Sequence, residues 1–209
     1  MKTLLKRTKL KLAILLLFGL NSFAQEVYLS SGLNVTTYDF KGTDNSEVDF
    51  NSKTGQFYEL GYAFKIMDKF NYGIGLAINN YGSSSGDSIN YYEWKTSFAG
   101  INNHFDYVVR PFKKIPLLLS TGLQLQLMHI INGEQKINQE HFDLTNEAEF
   151  KGLWLQPGVS ITAKYVANSM CELSLGYNYS IANNLSNNSE EKLKFINQQI
   201  RFGIHFIIN

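Results

Sequence analysis

The stretch that most limits what this chain can fold into is residues 199–209. Ile200, Phe202, Ile204, Phe206 and Ile208 alternate there with Gln199, Arg201, Gly203, His205 and Ile207, so one face is uniformly apolar and the other mostly polar or small. A period of two belongs to a β-strand, whose successive side chains point to opposite faces. An aromatic and aliphatic stripe of this kind suits a strand whose outer face meets lipid and whose edge pairs with the first strand. The rest of the chain reads as the sheet that closes on it.

The same alternation recurs along the chain. Val27, Leu29, Leu33 and Val35 oppose Ser30, Gly32, Asn34 and Thr36 in a first strand running to about Phe40. Tyr58, Leu60, Tyr62, Phe64 and Ile66 oppose Glu59, Gly61, Ala63 and Lys65, and Phe70, Tyr72, Ile74, Leu76 and Ile78 oppose Asn71, Gly73, Gly75, Ala77 and Asn79. Residues 89–111 are less regular: Tyr92, Trp94 and Phe98 hold one parity, Ile101, Phe105, Tyr107 and Val109 the other. That switch predicts a β-bulge near Ala99-Gly100. The fifth strand sets Leu119, Leu123, Leu125 and Leu127 against Ser120, Gly122, Gln124 and Gln126; the sixth sets Leu155, Val159 and Ile161 against Gln156, Ser160 and Lys164. In the seventh, Leu173, Leu175, Tyr177 and Tyr179 oppose Glu172, Ser174, Gly176 and Asn178, and the eighth runs over residues 192–208.

Polar loops are expected at 41–54, 83–88, 132–148 and 183–191, tight turns at 68–69, 111–116 and 167–169. Long and short connections thus alternate, all the long ones at one end. An even strand number with this asymmetry is the signature of an outer-membrane barrel. The expected class is all-β: an eight-stranded antiparallel up-and-down transmembrane β-barrel with short periplasmic turns and longer extracellular loops. Aromatics near strand ends are expected to form interfacial girdles, with Tyr28, Tyr38, Phe40, Phe57, Phe70, Tyr81, Tyr92, Trp94, Tyr107, Tyr165, Tyr179 and Phe206 as candidates.

Residues 1–24 read as a signal peptide, cleaved after Ala24: Lys2, Lys6, Arg7, Lys9 and Lys11 precede the apolar run Leu12 to Leu20, and small residues follow it. The barrel then occupies 25–209. The leader holds five of the 19 Lys and Arg and none of the 18 Asp and Glu, so the remainder is acidic at −4. Without a basic cluster, a nucleic-acid partner is not expected. Cys171 is the single cysteine; it reads as a small lipid-facing hydrophobe, with no cationic neighbour to activate a thiol.

The leader, the eight strands and the closing Phe-Gly-Ile-His-Phe-Ile-Ile run (residues 202–208) resemble the small outer-membrane β-barrel proteins of Gram-negative bacteria, of the OmpX/OmpW type. The Tyr-, Asn- and Lys-rich texture is similar to the PorT-like barrels of Bacteroidota. The resemblance implies outer-membrane lipid and, during insertion, the barrel-assembly machinery as partners, with another envelope protein as a further one.

An eight-stranded barrel is wide enough only for side chains or one small ligand. Its inward parity is expected to bring together Glu59, Lys65, Gln124, Gln126, Gln156, Lys164, Glu172 and Arg201, with Glu93, Lys95 and His205. Opposite charges there pair and plug the lumen, or line a narrow pore or ligand pocket; parity does not separate the two. No cofactor, metal or catalytic residue is assigned. His141 stands beside Glu140 and Asp143 in a solvated loop, and neither Ser97 nor Ser120 has a spacing from His104 and Asp106 that marks a nucleophile. The expected role is non-enzymatic, structural or interactive, as in a subunit of an envelope or secretion assembly. The alternatives are a small pore or ligand carrier and a soluble lipocalin-like barrel.

Overall fold

A computed structural model describes residues 26–43, 47–86, 91–112, 114–138, 140–186 and 191–208. The leader read over residues 1–24 lies outside them. The strands are β1 (Glu26–Lys41), β2 (Glu47–Val48), β3 (Asn51–Met67), β4 (Phe70–Ser85), β5 (Tyr92–Val109), β6 (Leu117–Ile137), β7 (Glu140–Asp143), β8 (Leu153–Asn168), β9 (Cys171–Asn184) and β10 (Lys192–Ile207). Eight of them are long and follow one another around a closed antiparallel sheet; β2 and β7 are short additions beside β1 and β6. Closure is made by β1 and β10, paired without interruption from Glu26↔Ile207 to Lys41↔Lys192. The described residues contain no α-helix.

The outer face is an apolar band. Leu29, Leu60, Leu76, Ile101, Leu123, Ile161, Leu175 and Phe202 point outward and are exposed, while Ser30, Glu59, Gln126, Ser160 and Glu172 on the opposite parity are buried. An apolar exterior around a polar interior inverts a soluble carrier, so the lipocalin-like expectation fails. Asn103 is a polar residue set within the band. Its amide oxygen accepts from Tyr72 Oη at 2.6 Å and its nitrogen donates to the Leu125 carbonyl, as a polar group facing lipid requires.

The strands outlast the band. At about 3.3 Å per residue and a tilt near 40°, a strand of 16 residues, the length of β1, rises about 40 Å along the axis, against an apolar height of about 25 Å. Above it the outward residues turn polar, as at Thr37, Thr54, Ser97 and Asn183, yet the ladder continues. Several stretches expected as loops are therefore strand: β1 reaches Lys41, β4 Ser85 and β6 Ile137.

No bulge lies at Ala99-Gly100. The irregularity between β5 and β6 has Ser97 opposite Asn132 and Phe98 opposite Ile130, so the extra residue is Ile131 of β6. Strand β5 keeps one parity throughout: Trp94, Thr96, Phe98 and Asn102 are all buried, and Ile101 and Phe105 are exposed. Trp94 and Phe98 only looked like lipid-facing residues. Glu93 and Lys95 consequently leave the lumen parity; Glu93 is instead covered by ion pairs with Lys53 and Lys95.

The band sets a prediction. Leu76→Arg, at the middle of the apolar surface, should lower the unfolding free energy in lipid vesicles by about 2–4 kcal/mol, and Thr54→Arg above it by less than about 1 kcal/mol. Denaturant titration of the two variants checks this.

Candidate functional site

The lumen collects the inward side chains in three layers. At the short-turn end charges pair across the barrel. Arg201 of β10 meets Glu59 of β3 at 2.9 Å, and Glu59 also accepts from Tyr28 Oη at 2.7 Å and Asn102 at 3.0 Å. The Arg201 guanidinium lies 5.2 Å from the centre of the Phe57 ring. His104 reaches Tyr28 Oη at 3.0 Å and Asp106 at 2.8 Å, and its ring occupies the space that a side chain at Gly73 would need. Lys164 of β8 donates to both oxygens of Glu26 at 2.8 and 3.0 Å and stands 3.8 Å from Glu172. His205 contacts Glu26 through Nδ1 and Ser174 Oγ through Nε2, the latter at 2.8 Å.

Above the charges comes a layer of amides. Gln199 donates to Asn34 at 2.9 Å and to Asn79 at 3.4 Å, Asn197 donates to Asn34 at 3.3 Å, and Gln156 donates to Ser180 at 2.9 Å. Such a layer carries no net charge, so nothing in it needs a counterion.

The long-loop end is closed by an apolar plug. Tyr38, Tyr81, Trp94, Phe98, Met128, Ile130, Trp154, Leu193 and Phe195 come from the strands, Leu144 and Phe150 from the connection between β7 and β8. Ring contacts cross the lumen: Tyr81 to Phe195 at 4.6 Å, Phe98 to Trp154 at 5.5 Å, Tyr38 to Trp94 at 5.4 Å and Trp94 to Phe150 at 5.2 Å. The Trp154 indole N–H donates to the Phe150 carbonyl at 2.9 Å, which ties the connection to the wall. Outside the barrel, hydrogen bonds from the Thr145 backbone and hydroxyl hold the Asp143 carboxyl below its ordinary range. A side-chain hydrogen bond to Glu149 raises that of Glu191.

Of the residues expected in the lumen, Glu59, Gln124, Gln126, Gln156, Lys164, Glu172 and Arg201 face inward. Lys65 sits at the exposed rim and pairs with Asp68 at 3.1 Å. Five aromatics assigned to girdles, Tyr28, Tyr38, Phe57, Tyr81 and Trp94, are 1–4% exposed inside the barrel. Position near a strand end suggested lipid, whereas their parity, shared with Ser30, Thr36 and Glu59, marks the lumen. Outward aromatics at Tyr107, Tyr165, Tyr179 and Phe206 do stand at the surface. His129 is exposed and bonds the Gly152 carbonyl, and His141 pairs with Glu134 of β6 rather than with Glu140 or Asp143. The residues that spacing missed are Glu26, Ser174 and His205 as a group, because they come from three neighbouring strands at the two ends of the chain.

The buried pair sets a second prediction. Arg201→Met leaves the Glu59 carboxylate uncompensated and should cost about 3–5 kcal/mol; adding Glu59→Gln should recover most of it. Guanidinium unfolding of the two variants in micelles reads the difference.

No protein-family model matches this chain, and no curated protein matches its sequence. Among solved structures it is similar to the outer membrane protein OprG from Pseudomonas aeruginosa, at 12% identity and a TM-score of 0.50 over 89% of this chain and 98% of that one. Neisserial surface protein A gives 11% identity and a TM-score of 0.49, over 87% and 97% of the two chains. The likeness to OprG is one of fold. This chain is a small eight-stranded β-barrel of the outer-membrane type, as the OmpX/OmpW-like resemblance implied.

Proposed function

We propose that the protein works as a closed outer-membrane barrel whose role is structural or interactive, with the long-loop end outside the cell and both termini in the periplasm. The observation that carries this reading is the plug. A dozen buried apolar residues fill one end of the lumen, and below them opposite charges are paired side chain to side chain. Ions crossing such a barrel would have to displace both.

The surface supports an interactive role. Strands standing above the apolar band present a polar, hydrogen-bonded collar, and the connection after β7 is held against it. Asn184 donates to the carbonyls of Glu149 and Lys151 at 2.8 and 2.9 Å, and the Leu144 N–H donates to the Gly133 carbonyl at 3.0 Å. A collar ordered in this way offers a partner a surface whose ordering entropy is already spent.

Two outcomes are expected. In planar bilayers the protein should give no steady conductance; stepwise openings would contradict the reading. A tag inserted after Asn146, clear of the plug residues Leu144 and Phe150, should retain an envelope protein in stoichiometric amount when native membranes are gently extracted. Recovery of a lone barrel would count against a subunit role.

A further inference from the structure

At the short-turn end the lumen holds an arrangement that a merely pairing network does not require. Ser174 of β9, His205 of β10 and Glu26 of β1 lie on three adjacent strands, with Ser174 Oγ 2.8 Å from His205 Nε2 and Glu26 Oε1 against His205 Nδ1. The tautomer follows from the neighbours. Lys164 is an ammonium that donates to both Glu26 oxygens, so Glu26 is a carboxylate and only accepts. In the neutral imidazole the proton shared with Glu26 sits on Nδ1, which Lys164 Nζ also approaches to 3.3 Å, and Nε2 is left to accept from the Ser174 hydroxyl. That is the orientation in which a histidine acts as base toward a serine.

The space around the pair is open where it needs to be. Gly203 faces Ser174 in the β9–β10 ladder, and a side chain there would run into Ser174 Oγ and the His205 ring. Ser174, His205, Arg201 and Lys164 line a cavity of about 50 Å³. That is room for a few waters or a short acyl group, at roughly 10–15 Å³ each for water. Ala63 and Asn71 are shared between this cavity and a wider one of about 410 Å³ at the rim, which also touches Glu26 and Lys65. The path therefore leads to the short-turn mouth and not through the plug. Arg201 and Lys164 stand in the wall of the same cavity, held by Glu59 and Glu26, and put positive charge near negative charge developing on a carbonyl oxygen.

We propose that Ser174, His205 and Glu26 form a hydrolytic triad that cleaves short-chain carboxylic esters entering from the short-turn end. Ser174 Oγ bonds to the ester carbonyl carbon as its proton passes to His205 Nε2; the alcohol leaves with that proton when its C–O bond breaks. Water then attacks the carbonyl carbon of the acyl-serine and gives one proton to His205; the bond from that carbon to Ser174 Oγ breaks, the acid is released, and Ser174 Oγ takes up the proton from His205. This activity goes beyond the structural role above and is independent of whether the barrel has a protein partner.

The test uses the folded barrel in micelles with two probes, an ethyl fluorophosphonate read by peptide mass spectrometry and p-nitrophenyl acetate read by absorbance. The expected result is one adduct, on Ser174, with hydrolysis falling at least 100-fold in both Ser174→Ala and His205→Gln. Circular dichroism establishes that each variant is folded. Should His205→Gln not fold, Ser174→Ala and the adduct decide alone. A Ser174 peptide free of label, or hydrolysis unchanged in Ser174→Ala, overturns the proposal.

Discussion

Everything in this molecule depends on the ladder between β1 and β10. Lipid offers no partner to a free backbone N–H or C=O, so a sheet in a membrane must have no edge. The first and last long strands remove it by pairing over their full length, from Glu26↔Ile207 to Lys41↔Lys192. With the sheet closed, each strand has one face in lipid and one in the lumen, and the two-residue period of the sequence becomes a radial partition of chemistry.

The inside of so narrow a barrel then has to satisfy itself. Where the wall crosses the apolar band, charges come in opposed sets, with Glu59 against Arg201 and Glu26 and Glu172 against Lys164. Toward the long loops the amides Asn34, Asn79, Asn197 and Gln199 take over, and then the rings. The order makes physical sense. Above the band the barrel wall is wetted outside, and an interior plug such as Phe98, Trp154 and Phe195 supplies there the hydrophobic core that lipid contact supplies below. The protein is in effect a lipid-clad tube at one end and a small water-soluble domain at the other.

Much of this could be read from the chain. The number of long strands, the side that faces lipid and the inward set Glu59, Gln126, Gln156 and Arg201 all follow from parity, because one face of each strand had to be apolar; the expected alternation of long and short connections does not hold throughout, since β4 and β5 are joined by six residues and β5 and β6 by seven. The plug did not follow. Tyr38, Trp94 and Phe98 are apolar residues on the polar parity, and above the band the rule that apolar means outward reverses, which also produced the expected bulge in β5. The grouping of Glu26, Ser174 and His205 was likewise out of reach. Ser174 and His205 are brought together by the β9–β10 register, and Glu26 by closure, a contact between residues 179 apart in sequence. Neither leaves a local spacing to find.

The rest of the structure follows from which face of each strand meets lipid, and β9 offers the clearest place to measure it. With Cys171 replaced by alanine, single cysteines at each position from Leu173 to Ala182 can be labelled with a fluorophore and exposed to quenchers held in the lipid tails. Quenching should follow a period of two, strong at Leu173, Leu175, Tyr177 and Tyr179 and weak at Ser174, Gly176, Asn178 and Ser180. Strong quenching at the even positions, or no period at all, would contradict a barrel that turns its apolar face to lipid.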